Sequence, residues 1–337
     1  MIVKETNNNW IIFDKKYISL NSNLKGHSSL SIFNSLNWIL HLENLGWQCI
    51  CWENVINKNE SNFVVSFIKF YPLNTAIVWI PGGVIGSNKN ILTLNKSIRL
   101  SLNLKHCYIR LRSQNEYNTQ EIINFLLNKW AIPRYILGTN MTLILDIKSD
   151  MKKIYSKFSR NWKRSISKSI KNKIIYSRVY ESKKIASLYN QMHKCKSLKR
   201  HEVYSHQYID SIIKVFKDNI IVFGAFDNSN KLLAIRGAIV SKNRKATDIF
   251  AACGEEGRKL AVSNGLFFRL IEECKANNCD FYDLSGIDPL NSRGVYLFKN
   301  GTGGSPISII GEFESSSSPF LALIINFYLF LKRKIFN

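Results

Sequence analysis

Acidic residues are scarce in this chain. Its 337 residues hold 24 Asp and Glu against 47 Lys and Arg, a formal net charge of +23. Such a balance favours a polyanionic partner: RNA, an anionic membrane surface or phosphorylated substrates. A general enrichment in Lys, Asn and Ile offers a blander origin for the same charge. A paired cysteine framework is also missing. Cys49, Cys51, Cys107, Cys195, Cys253, Cys274 and Cys279 form an odd set of seven, which argues against a disulfide scaffold and fits a reducing cytoplasm. The opening M-I-V-K-E-T-N-N-N has no apolar signal core, which argues against export. No G-x-S-x-G elbow occurs, and Ser285 lies in D-L-S-G, so a nucleophilic serine is not indicated. His193, Cys195, His201 and His206 lie close together, but lysines separate them and no Cys-x-x-Cys pair assists, so no metal site is expected. Cys49 and Cys51, in W-Q-C-I-C-W, read as core.

What is present suffices for a globular chain. The apolar fraction is 45%, and at about 150 residues per domain the length predicts two domains. In the first half, apolar spacing predicts a helix over Ile32–Leu45 and strands over Phe63–Phe70, Ala76–Ile80, Cys107–Leu111 and Met141–Ile147. Thr119–Trp130 reads as a helix capped by Asn118. In the second half, Ile154–Ile170, Ile185–Lys196, Tyr208–Phe216 and Ser263–Asn277 read as helices, the last capped by Ser263. Strands are expected at Ile174–Val179, Lys245–Cys253 and Cys279–Leu284. Ile220–Phe226 and Leu232–Val240 should form a hairpin across Asp227–Asn230. Interleaved strands and helices indicate an α/β or mixed α+β layer fold.

Two segments stand out chemically. Met151–Lys173 carries nine cations and no acid. Helical spacing puts Ile154, Phe158, Trp162, Ile166 and Ile170 on one apolar stripe, leaving Lys157, Arg160, Lys163, Arg164 and Lys168 on other faces. Like charges on neighbouring turns are unfavourable in isolation and make sense beside phosphates. A solvated face in a lysine-rich protein is the plainer alternative. The second segment, Tyr282–Gly304, reads Y-D-L-S-G-I-D-P-L-N-S-R-G-V-Y-L-F-K-N-G-T-G-G. A buried strand runs into a Ser-Gly turn and a polar loop. A short aromatic strand is then expected to deliver Phe298 and Lys299 to a cluster formed by Gly301, Gly303 and Gly304. A lysine fixed there is well placed to meet developing negative charge.

This second segment resembles the signature of the Fem family of non-ribosomal peptidyltransferases, roughly Y-D-x-x-G-I … G-x-x-x-F-K-x-G-F-G-G. The matching residues are Tyr282, Asp283, Gly286, Ile287, Gly294, Phe298, Lys299, Gly301, Gly303 and Gly304; Thr302 replaces the usual aromatic. The resemblance implies an α/β fold with mixed sheets, built as two tandem acyl-CoA N-acyltransferase-like (GNAT) domains. We place these at 1–148 and 149–314, followed by an apolar and basic C-terminal helix at 315–337. Too few residues separate Leu188 from Ile220 for the helical arm that some members insert.

The resemblance also implies an activity. The chain would move an amino acid from aminoacyl-tRNA to an amine on a cell-envelope precursor, peptidoglycan or another glycan. Lys299 would stabilise the tetrahedral oxyanion or the leaving ribose oxygen, and Phe298 would fix that lysine and pack on the terminal adenosine. Gly301, Gly303 and Gly304 would let the CCA end pass. Asp283 or Asp288 would orient the acceptor amine or take its proton, although Asp283 reads first as a turn carboxylate. Arg200 and Tyr204 match an Arg and a Tyr that contact the acceptor's phosphates. Arg160, Lys163 and Arg164 would meet tRNA phosphates. The expectation is a cytoplasmic monomer with no resident cofactor and no metal, and aminoacyl-tRNA as co-substrate.

Two other readings stay open. F-S-R-N-W-K-R-S-I-S-K-S-I-K also resembles CelD-type acetyltransferases, which would make the chain a CoA-dependent N- or O-acyltransferase of surface polysaccharide biosynthesis. However, Gly254–Leu266 lacks the Q/R-x-x-G-x-G/A order of a CoA pyrophosphate turn and carries Glu255 and Glu256. The third reading is a non-catalytic RNA- or membrane-binding module. The tail Pro319–Leu331 is nearly all apolar and runs into Lys332-Arg333-Lys334. As a helix it rises about 20 Å, short of the roughly 30 Å of a bilayer core. It would either pack on the second domain or lie at the inner face of the plasma membrane, which would suit a polyprenyl-linked acceptor.

Overall fold

The computed structural model describes residues 10–20, 31–57, 60–86, 90–194 and 204–336. In chain order the first elements are β1 (Ile11–Phe13), α1 (Tyr17–Leu20), α2 (Leu36–Glu43), β2 (Gln48–Asn57), β3 (Glu60–Tyr71), β4 (Thr75–Ile80) and β5 (Val84–Ile85). Then come α3 (Leu94–Ser101), β6 (His106–Glu116), α4 (Thr119–Leu127), β7 (Met141–Asp146), α5 (Met151–Lys157), α6 (Arg160–Lys171), β8 (Ile175–Arg178), α7 (Ser182–Lys194) and α8 (His206–Phe216). The rest are β9 (Ile220–Phe226), β10 (Leu232–Val240), β11 (Lys245–Cys253), α9 (Glu255–Lys259), α10 (Val262–Ala276), β12 (Phe281–Gly286), α11 (Arg293–Asn300), β13 (Ser305–Ser316) and α12 (Pro319–Phe336).

The chain forms two compact units, 1–140 with 308–335, and 141–307 with the last two residues. The division therefore falls before β7, and the chain returns to the first unit within β13. The sequence alone put these borders at 148 and 314. Strand pairing accounts for the difference. β7 pairs antiparallel with β12, and β13 from Ile309 onward pairs antiparallel with β6.

In the first unit the strand order is β1-β2-β3-β4-β6-β13, with β5 added to β3. Its core gathers Trp10, Trp52, Val64, Val78, Ile109, Phe125 and Phe313. Asn118 caps α4 as its spacing predicts, accepting from the backbone N–H groups of Gln120 and Glu121. α12 docks on this unit, whereas the sequence offered the second domain or the membrane. The cause is one polar residue on its inner face. Asn326 is buried, donates to Glu314 at 2.7 Å, and accepts from the Tyr135 backbone N–H at 3.1 Å. Beneath it Arg110 bonds Glu312 at 2.8 Å. Among the described residues, no helix is long and apolar enough to cross a membrane.

In the second unit the order is β7-β12-β11-β10-β9-β8. The β9–β10 hairpin forms as expected, and Asp227 closes its turn by accepting from the Ser229 and Lys231 N–H groups. α10 lies against α6, β9 and β10. Phe158, Trp162, Leu266, Phe267 and Tyr282 fill the space between.

Three local expectations need correction. The helix expected over Ile154–Ile170 is two helices. Phe158 is extended (ψ 141°), and Ser159 starts α6 by accepting from the Trp162 N–H. A serine that can serve as an N-cap wins over continuous apolar spacing. Ile170, counted on the buried stripe, is 67% exposed. Ser263 does not cap α10, which begins at Val262 after Ala261 at φ 58°.

Candidate active site

The site is built at a parting of two strands. β11 and β12 run parallel only over Lys245–Thr247 and Phe281–Asp283. Beyond that both continue, to Cys253 and Gly286, without pairing to one another. The backbone groups of β11 exposed by the parting are met by side chains. Ser285 Oγ donates to the Asp248 carbonyl at 2.7 Å, and Tyr189 Oη accepts from the Ala251 N–H at 3.0 Å. Ser285 itself takes positive φ (61°), a strained conformation for a serine.

A buried ion pair sits at the parting. Arg236, on β10, forks onto Asp248, on β11, with Nε–Oδ1 at 3.0 Å and a second N–Oδ2 bond at 2.6 Å. Tyr282 Oη donates to the same Asp248 Oδ1 at 2.8 Å. The guanidinium lies between two rings, 4.9 Å from Phe267 and 5.1 Å from Phe298. Burial, then the nearby Asp248 carboxylate, pushes the Tyr282 hydroxyl well above its usual pKa. It stays a neutral donor.

Lys299 extends this cluster toward solvent. Its side chain is half-buried, and its ammonium donates to the Gly286 carbonyl at 2.8 Å and the Ser285 carbonyl at 3.5 Å. Burial, with the Arg236 charge, lowers its pKa from 10.5 to about 8, against the opposing pull of Asp248 and Asp283. An ammonium has three donors, and among the described residues these two carbonyls accept from it. Phe298 and Lys299 are carried on helix α11, not on the expected strand. The Trp162 indole N–H donates to the Phe298 carbonyl at 2.8 Å, and the rings meet at 4.7 Å. Thr302 shows why a hydroxyl serves where the family motif has an aromatic. It is fully buried, and its Oγ1 donates to the Lys299 carbonyl at 2.7 Å, closing the end of α11.

The three glycines face the protein rather than an open channel. A methyl at Gly301 would collide with the Trp162 indole, and one at Gly304 with Leu143. Gly303 has φ 72°, and a Cβ there would sit 2.5 Å from the Lys157 carbonyl oxygen. They let α11 approach α6 and β7 closely.

Asp283 is held by Lys245 at 2.7 Å, by the Thr142 hydroxyl and by the Ser285 N–H at 2.9 Å. Asp288 caps an exposed turn, accepting from the Leu290 and Asn291 N–H groups. Both carboxylates hold backbone turns. Tyr204 stacks on Tyr208 at 4.7 Å and meets Tyr189 and Phe250 edge-on, which places it beside β11 two residues past Asp248. Arg200 lies outside the described residues. Arg160 and Arg164 are exposed on α6, opposite the buried Trp162 and Ile166, and Lys163 bonds the Ser156 carbonyl at 2.8 Å. Glu255 and Glu256, at the turn that a CoA pyrophosphate would need, are tied to Lys259 at 3.2 Å and Lys231 at 2.5 Å. Among the described residues, no group of three His, Cys, Asp or Glu could hold a metal ion.

Sequence reasoning missed Arg236 and Asp248. The available signal was a charge in the middle of each of two largely apolar strands, Arg236 in L-L-A-I-R-G-A-I-V and Asp248 in K-A-T-D-I-F-A-A-C, where Lys245 sits at the strand's end. Such charges are buried only when paired.

Comparison with known proteins agrees with this architecture. No curated protein matches the sequence. The crystal structure of FemX superposes with a TM-score of 0.75 at 14% identity, covering 94% of this chain and 99% of that one. The tandem GNAT protein from the clavulanic acid biosynthesis pathway gives 0.55 at 7%, over 92% and 98%. L-PGS from Bacillus licheniformis gives 0.53 at 8%, over 96% and 98%. These likenesses establish the fold, a tandem GNAT-like arrangement. A family model described as the FemAB family matches residues 225–328, the segment that carries Arg236, Asp248, Tyr282 and Lys299, so the chain is Fem-like both in its site-bearing segment and in its fold.

Proposed function

We propose that the protein transfers an aminoacyl group from aminoacyl-tRNA to an amine on a cell-envelope precursor. The observation that carries this reading is the Lys299 ammonium, half-buried where β11 and β12 part and inside the segment matched by the FemAB family model. An aminoacyl ester is already activated, so aminolysis needs positioning, proton movement and charge stabilisation more than a protein nucleophile. The acceptor nitrogen's lone pair forms a C–N bond to the ester carbonyl carbon, and the carbonyl π pair moves onto the carbonyl oxygen. Collapse of that oxyanion breaks the C–O bond to the tRNA ribose, and the amine proton ends on the departing ribose oxygen.

Lys299 suits two of these needs. Its third N–H can bond the oxyanion, and a pKa near 8 lets it pass a proton to the ribose oxygen at neutral pH. Arg236 and Asp248 keep their own charges paired and hold the Phe298 ring, so they fix the helix that aims the ammonium. Asp283 and Asp288 are engaged with backbone, so this geometry supports the turn-holding role for both. Arg160 and Arg164 offer an exposed cationic face for tRNA phosphates. No resident cofactor enters the scheme; the co-substrate is aminoacyl-tRNA.

The test is a choice of donor. Incubating the protein with charged total tRNA and with polyprenyl-linked envelope precursors should raise one precursor's mass by an amino-acid residue. A mass gain seen only with acyl-CoA, together with protection by acyl-CoA against thermal unfolding, would replace this reading with the CoA-dependent one.

A further inference from the structure

α12 has apolar side chains on both faces. The inner face is occupied by Ile325 and Asn326, fixed to the first unit through Glu314, Arg110 and Tyr135. The outward face carries Phe320, Leu323, Ile324, Phe327, Tyr328 and Leu331, each between 36% and 71% exposed. These positions follow the i, i+3, i+4, i+7 rhythm of one stripe, about 17 Å long at the helical rise. A surface helix ordinarily turns polar residues outward, and large contiguous apolar patches on soluble chains mark interaction sites. Because polar bonds on the inner face set the helix's rotation, the apolar stripe is held facing outward.

The surroundings indicate what covers it. Neither Pro319–Asn337 nor the segment 131–138 contains an acid. That segment lies beside α12, with the Tyr135 ring 6.0 Å from Phe330. It exposes Ile132, Ile136 and Leu137 together with the cation Arg134. In the sequence the stripe runs directly into Lys332-Arg333-Lys334, in a chain of net charge +23.

We propose that this face of the first unit docks on an anionic phospholipid surface, with α12 lying in the plane of the headgroups. The apolar stripe enters the acyl boundary, Arg134 meets lipid phosphates, and the chain's net positive charge favours an anionic leaflet. The helix lies on the bilayer and does not cross it. The proposal rests on the surface alone and does not depend on the transfer reaction.

Flotation of the full-length protein with vesicles tests it. Vesicles of equal parts phosphatidylglycerol and phosphatidylcholine should carry the protein upward, and phosphatidylcholine alone should carry much less. Leu323→Ser/Phe327→Ser changes two exposed positions, so the melting temperature should hold while partitioning falls about tenfold or more. Phe320→Ser, at the first turn of the same stripe, serves as a second variant if the double change perturbs folding. Part of the parent's binding should survive high salt, and that part should vanish in the variants. Equal binding by parent and variants would show attraction by net charge only and would overturn the proposal. So would an absence of vesicle binding joined to a dimer by light scattering that Leu323→Ser/Phe327→Ser dissolves, because a second copy would then cover the stripe.

Discussion

Replacing Arg236 with methionine would leave the Asp248 carboxylate buried without its bidentate partner. Breaking a buried pair from one side costs about 3–5 kcal/mol, and urea unfolding of Arg236→Met should show a loss of that size. Wild-type stability in that variant would mean that the pair is not enclosed as described. Lys299 acts in the opposite sense on stability. Its folded pKa, about 8, lies below the 10.5 of a free lysine, so the unfolded chain binds the extra proton between those values. Its destabilising contribution is full below about pH 8 and is relieved as pH rises toward 10.5. The residue scale is also where sequence reading stops short. The motif around Lys299 is contiguous and legible. The Arg236–Asp248 pair depends on the register of two strands: the ladder sets Arg236 opposite Ala251 and Asp248 opposite Ala238, with an irregularity at Gly237/Ala238, so the ion pair runs diagonally across it.

At the scale of elements, Phe298 and Lys299 sit on a helix although G-V-Y-L-F has the aromatic and β-branched make-up of a strand. Tertiary bonds override that preference: Trp162 holds the Phe298 carbonyl and Thr302 closes the last turn. Gly303 is the joint that makes this possible, through its left-handed backbone and close approach to Lys157. Gly303→Ala is expected to destabilise the protein by about 1–3 kcal/mol and to loosen α11. A thermal melt unchanged from the parent would remove that role. Elements with strong local signals were legible: the β9–β10 hairpin, the Asn118-capped helix and the buried side of α6 at Trp162 and Ile166. The break at Ser159 and the seat of α12 were not. The first pits a cap against continuous periodicity. The second is decided by Asn326 reaching Glu314, twelve residues back but on another element.

For the whole molecule, the net charge of +23 and the exposed Arg160 and Arg164 make an electrostatic prediction. Binding of tRNA should weaken linearly in log–log terms as salt rises, and Arg160→Ser/Arg164→Ser should flatten that slope by about 1–2 units. Filter binding over a salt series measures it. An unchanged slope would show that phosphates meet another face. The two-domain organisation was readable from length and alternation, but its borders were not. β13 returns to pair with β6 between Ile309 and Glu116 at one end and Ser316 and Tyr108 at the other, and no local pattern announces so distant a pairing.

The most direct test of the account is the single-turnover rate of aminoacyl transfer from tRNA as a function of pH, for the parent, Lys299→Ala and Lys299→Arg. The parent rate should fall as pH rises through about 8, where the ammonium loses its proton. Lys299→Arg should retain part of the rate and move that fall to higher pH. Lys299→Ala should lose about 10²–10³-fold while still folding, with a melting temperature no lower than the parent's. A Lys299→Ala rate and pH profile equal to the parent's would contradict the claim that this ammonium carries the developing charge.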